Sequence, residues 1–149
     1  MEIKNLFDAS VKQDIINRIN KLTRDSKALW GKMTVGQMLA HCQMPIGVAE
    51  GTHKLKRTFI GKLLGPLVKS ILYNDKPFKR ELPTDKSFIM TGTEKEFEKE
   101  KSTLLEMINN FTEQNMVDTP HPFFGKLTKE QWSNGMWKHL DHHLQQFGV

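Results

Sequence analysis

Three helix-start signals constrain this chain more than any other feature. Thr34-Val35-Gly36-Gln37, Thr93-Glu94-Lys95-Glu96 and Thr128-Lys129-Glu130-Gln131 each have the Thr-x-x-Glu/Gln form of a capping box. Met33 with Met38, and Leu127 with Trp132, stand where hydrophobic staples close such starts. Apolar residues then recur at helical spacing: Met38, Leu39, Cys42 and Ile46 after the first signal, Phe97, Leu104, Leu105, Ile108 and Phe111 after the second. An earlier helix is expected from Ala9 to Leu22, capped by Asp8 or Ser10. It buries Val11, Ile15, Ile19 and Leu22 and turns Lys12, Asp14, Asn17 and Arg18 outward. Only Ser87 to Thr91 hints at a strand, and it is short with no alternating partner nearby. The expected class is all-α.

Between the first and second signals lies a basic stretch, Lys54 to Arg80, in which Asp75 is the only acid. Within it Phe59, Ile60, Leu63, Leu64, Leu67, Val68, Ile71 and Leu72 form a helical stripe, which Gly65-Pro66 is expected to bend or split. Pro45 is expected to kink the second helix, because it cannot donate to the carbonyl of His41. Asn74 to Phe88 and Asn115 to Lys126, punctuated by prolines and Gly125, are expected as connections. The sum is one domain over residues 1–149: four main helices, with an extra bent basic helix in a long middle crossover.

Composition narrows the function classes. The chain has 149 residues, 38% hydrophobic and 26% charged, enough for a real core. A net charge of +5 is too mild to indicate a specific nucleic-acid partner. No apolar run approaches the ~18 residues of a membrane span, so no membrane partner is expected. The opening Met1-Glu2-Ile3-Lys4-Asn5 lacks the apolar core of a secretory signal. A single cysteine, Cys42, permits no internal disulfide and fits a reducing, cytoplasmic setting.

Histidine placement carries the chemistry. Three of six histidines fall in His139-Leu140-Asp141-His142-His143. On a helix His139 and His143 lie about 40° apart around the axis, one turn from each other, so together they can hold one metal ion. His139 with His142, at i, i+3, is an available alternative pair. The plainer reading is a polar helix end whose imidazoles favour the negative end of the dipole. His41 sits on an otherwise apolar stripe, where an unpaired imidazole costs about 1–3 kcal/mol. It is either a core histidine satisfied by one carbonyl or a third ligand reaching across to the last helix. Three neutral imidazoles with an open position make a catalytic zinc-type site, although imidazole equally accepts nickel, iron or copper. Cys42 points about 100° from His41 and is expected as core filler. His121 either reaches the site mouth or lies on the surface, and His53 is expected to be exposed. Asp141 is assigned to solvent or to a supporting contact behind the ligands. Trp30, Trp132 and Trp137 are read as core or pocket wall.

Thr34-Val35-Gly36-Gln37-Met38-Leu39-Ala40-His41, followed by Trp137-Lys138-His139-Leu140-Asp141-His142-His143-Leu144-Gln145-Gln146-Phe147, resembles the DinB/YfiT-like superfamily. The loop His121-Pro122-Phe123-Phe124-Gly125-Lys126-Leu127 is similar to that of a branch of small bacterial DinB-like proteins. The resemblance implies a four-helix bundle with a long crossover. It also implies a divalent ion, usually zinc or nickel, on His41, His139 and His143, with His142 at a non-ligand position. Better-known relatives are thiol S-transferases using bacillithiol or mycothiol, with some hydrolases and isomerases, so a low-molecular-weight thiol or another small molecule is the implied substrate. The competing readings are a non-enzymatic structural or stress-associated bundle, and an anionic-surface or nucleic-acid binder using Lys54 to Arg80. The apolar middle helix also makes a homodimer reasonable.

Overall fold

The computed structural model describes residues 1–56 and 59–149, with the side chains of Ile60 and Lys62 outside the description. The expectations that involve Arg57, and those for the side chains of Ile60 and Lys62, therefore fall outside the described residues. The described residues form five helices: α1 (Ala9–Asn20), α2 (Val35–Ala49), α3 (Phe59–Val68), α4 (Phe97–Asn110) and α5 (Lys129–Gln146). Short 3-10 turns cover Lys69–Leu72, Lys86–Phe88 and Glu113–Asn115. Among the described residues there is no strand, only an isolated bridge between His121 and Gly125. None of the described helices is long and apolar enough to cross a membrane.

Two of the three capping boxes form. Thr34 accepts from Gln37 N and its own N–H donates to Gln37 Oε1, and Thr128 and Gln131 repeat the arrangement. The third does not: α4 starts at Phe97, with Glu96 at the cap position and no side-chain cap bond. The Thr93 carbonyl instead accepts from Gln37 Nε2 at 2.9 Å. Gly36 lets the Lys95 backbone cross close to α2, where a Cβ would collide with the Lys95 carbonyl. A contact between distant segments accompanies the loss of this local preference, and the helix start lies three residues on.

α2 is apolar nearly all round and correspondingly buried from Val35 to Cys42 and again from Ile46 to Ala49. It packs on α4 and α5, and α1 packs on the same two helices. Leu39 and Ile46 of α2, Ile15 and Ile19 of α1, Leu104 and Ile108 of α4, and Leu140 and Leu144 of α5 share one core. Pro45 lies inside α2, which continues past it to Ala49. Arg18 does not face outward as expected. Its guanidinium donates to Asp141 Oδ1 at 2.8 Å and to the Val149 carbonyl, and both side chains of the pair are largely buried. Asp141 also accepts from Gln145 Nε2, which corrects its assignment to solvent or to a contact behind the histidines.

α3 departs most from expectation. Gly65-Pro66 does not break it; the helix runs to Val68 and then tightens into the 3-10 turn. Gly61 and Gly65 are buried, and a Cβ on Gly65 would overlap the Phe123 carbonyl, so the 121–125 loop is seated directly on the helix backbone. The large apolar residues point the other way: Phe59 is 80% exposed, Leu63 63% and Leu67 77%. Beyond the turn the chain is pinned to α5 by buried Lys138, whose three N–H donors meet Ile71 O, Asn74 O and Asn74 Oδ1.

Candidate metal centre

His41 projects from α2, and His139 and His143 from one face of α5. Their candidate ligand nitrogens all lie within 4.8 Å of one another. His41 Nε2 is 3.0 Å from His139 Nε2, and the three ring centroids are separated by 4.6 to 4.9 Å. Imidazole nitrogens bound to one ion at about 2.0–2.1 Å stand roughly 3.0–3.4 Å apart. The His41–His139 edge already has that spacing. His41 and His143 are buried, at 5% and 8% exposure, while His139 keeps a surface open to a cavity.

The outer nitrogens settle the tautomers. His41 Nδ1 is 2.8 Å from the Phe88 carbonyl, which only accepts, so Nδ1 carries the proton and Nε2 keeps its lone pair. His143 Nδ1 is 2.8 Å from Gln146 Oε1, and the same amide donates through Nε2 to the Trp30 carbonyl at 2.7 Å. That second bond fixes which end of the amide faces His143, so His143 also donates from Nδ1 and keeps its Nε2 lone pair. Burial pushes all three imidazoles below their ordinary pKa: His143 to about 3, His139 well below its usual range with the neighbouring rings adding to the effect, and His41 downward against the opposing pull of Phe88. All three are neutral at pH 7, the protonation state that metal ligation requires.

In front of the triad opens a cavity of about 750 Å³, within the ordinary range for small-molecule sites. Trp30, Phe78, Phe88, Phe123, Phe124 and Met136 contribute apolar wall, and His121 and His142 contribute polar points. His121 thus lies at the cavity and not on open surface. Its Nδ1 accepts from Phe123 N and Phe124 N, its ring centroid lies 4.9 Å from that of Trp132, and burial lowers its pKa to about 4. A neutral His121 therefore carries its proton on Nε2. His142 stands between Trp30 and Phe78, outside the cluster, which removes the His139/His142 pairing in favour of His139/His143. Trp30 and Trp132 are cavity wall and Trp137 is core. Cys42 faces Met38 in the core, and burial pushes its thiol upward. His53 is half-buried beside Ser87 Oγ, away from the triad.

The family description "Protein of unknown function (DUF1569)" matches residues 4–148. The chain belongs to this family. No curated protein and no solved structure matches it. The description of DUF1569 names no reaction, so the chemistry of this DUF1569 chain rests on its own side chains.

Two supporting groups, one of them within the last-helix motif, have no role assigned from sequence. Gln146 is three residues after His143, a spacing at which a helical amide can meet an imidazole, and was legible in principle. The Phe88 carbonyl comes from the 86–88 turn, 47 residues from His41, and carries no local signal.

Proposed function

We propose that the chain is a metal-dependent enzyme of the DinB/YfiT type which transfers a small thiol to an apolar electrophile. In this reading α1, α2, α4 and α5 are the four-helix bundle, and α3 belongs to the crossover between α2 and α4. The observation that carries the proposal is the fixed orientation of His41 and His143. Each has its Nδ1 proton tied to an acceptor, and with His139 they converge beside a largely apolar cavity.

The donor set fits a divalent ion. His41, His139 and His143 would hold it, with Phe88 O and Gln146 Oε1 holding two of the rings. Three imidazoles contribute no negative charge, so an anionic fourth ligand such as a thiolate is favoured over a neutral one. When bound, zinc or nickel supplies Lewis acidity that lowers the pKa of a thiol at the open position. The cavity walls exclude water and receive the electrophile, and His121 Nε2–H is the donor available to an acceptor atom on it. The overall exchange replaces the thiol S–H bond and the electrophile C–X bond with an S–C bond and HX.

The test is reconstitution of purified protein with zinc or nickel, elemental analysis, and turnover of a low-molecular-weight thiol with a halide-bearing electrophile. One ion per chain and thiol-dependent turnover are expected, both lost in His41→Ala/His143→Ala. Turnover of esters or amides without thiol would replace transfer by hydrolysis. No turnover, combined with a large chelator-induced fall in melting temperature, would support a structural metal in a non-enzymatic bundle.

A further inference from the structure

α3 carries a feature that the metal site does not use. Its glycines, Gly61 and Gly65, face the protein, while Phe59, Leu63, Leu64 and Leu67 are all exposed and Val68 turns toward the cavity in front of the triad. Positions 59, 63 and 67 lie four apart and 64 borders them on one side, so the four make one outward face along a helix of roughly 15 Å. The seating of the loop against Gly65 fixes this direction, because turning the helix inward would drive a large side chain into the Phe123 carbonyl. Lysines stand at both ends of the helix. Lys54 and Lys56 are exposed on the segment leading in, and Lys69 follows the last turn and reaches the carbonyl of Lys126, itself exposed. No acidic residue occurs between Lys54 and Asn74.

We propose that this face docks on the surface of an anionic phospholipid bilayer. Apolar side chains projecting from a helix with lysines at both ends suit the boundary between acyl chains and headgroups, where both kinds of group are satisfied together. A second copy of the chain would cover the leucines but set one group of lysines against another, which opposes association. A nucleic-acid backbone would satisfy the lysines and leave four apolar side chains in water. The bilayer matches both halves of the surface.

The experiment is co-sedimentation of metal-loaded protein with vesicles of pure phosphatidylcholine and of phosphatidylcholine with phosphatidylglycerol, alongside light scattering of the protein alone. The expected result is binding to the anionic vesicles only, weakened several-fold by ~0.5 M salt. Leu63→Ser/Leu67→Ser should lower the partition coefficient by roughly tenfold or more. Lys54→Glu/Lys56→Glu should lower it by roughly tenfold, and both variants should keep the wild-type circular dichroism spectrum and metal content. No binding to anionic vesicles, or binding that the leucine variant retains, overturns the proposal. So does a stable wild-type dimer that the leucine variant dissociates, because the face is then covered by a second copy.

Discussion

α5 and α3 both invert the usual partition of side chains, in opposite senses. On α5 polar groups are buried: Lys138, Asp141, His143 and Gln146 all lie inside. Each has partners that absorb its desolvation: Lys138 three oxygens, Asp141 a guanidinium and an amide, His143 and Gln146 each other and the Trp30 carbonyl. On α3 apolar groups are exposed and the glycines are buried. A polar interior is tolerated where hydrogen bonding is complete, and it then fixes side-chain orientation, which a metal site needs. An apolar exterior has no such internal compensation, so its complement must come from outside. Periodicity alone does not separate the two cases.

The contrast breaks most readily in the core beside the triad. Leu39→Ala, on the buried face of α2, should cost about 2–5 kcal/mol in denaturant unfolding, because it opens a cavity in the shared core. Asp141→Ala removes the close carboxylate of the largely buried Arg18 guanidinium, leaving it the Val149 oxygen and the more distant Asp14 at 4.0 Å. Because both side chains keep some solvent contact, the expected cost is about 2–3 kcal/mol, below that of a fully buried pair. Gln146→Leu keeps the volume but releases the Nδ1 proton of His143, and metal titration should show affinity lowered by roughly 10–100-fold with the stoichiometry intact.

Acid sharpens the same comparison. His121 has a folded pKa of about 4, pushed down by burial from the ordinary 6.5. The folded state therefore stays neutral while the unfolded chain takes up a proton. Stability is complete above pH 6.5 and falls as pH drops from 6.5 toward 4, with a slope of at most about 1.4 kcal/mol per pH unit for this group. In metal-free protein His143 adds to the loss down to about pH 3. Chemical denaturation across that range should show a shallower profile for His121→Phe, with the sign unchanged. The smallest effect belongs to α3: Leu63→Ser/Leu67→Ser should change stability in solution by no more than about 0.5 kcal/mol per site. A loss of several kcal/mol would mean that the leucines are not exposed and would erase the contrast.

Much of the architecture was legible because its signals are local. The boxes at Thr34 and Thr128 act within four residues, and both form. The box at Thr93 does not form: its N–H donates to the Met90 carbonyl and its own carbonyl accepts from Gln37, 56 residues away, which no window around Thr93 contains. The triad was legible from three histidines placed on helical faces, two of them one turn apart. The Phe88 carbonyl that orients His41, and the pairing of Arg18 with Asp141, depend on how separate helices meet. The stripe on α3 was legible as a stripe. Its outward direction was not, because that follows from the loop seated on Gly65.

The most direct test of the central claim is X-ray absorption at the metal edge of zinc- or nickel-reconstituted protein, with and without a small thiol. Three imidazole nitrogens at about 2.0–2.1 Å are expected, plus one exchangeable light ligand that gives way to a single sulfur when thiol is added. A coordination shell closed by four protein ligands, sulfur present before any thiol is added, or fewer than three imidazoles would contradict it.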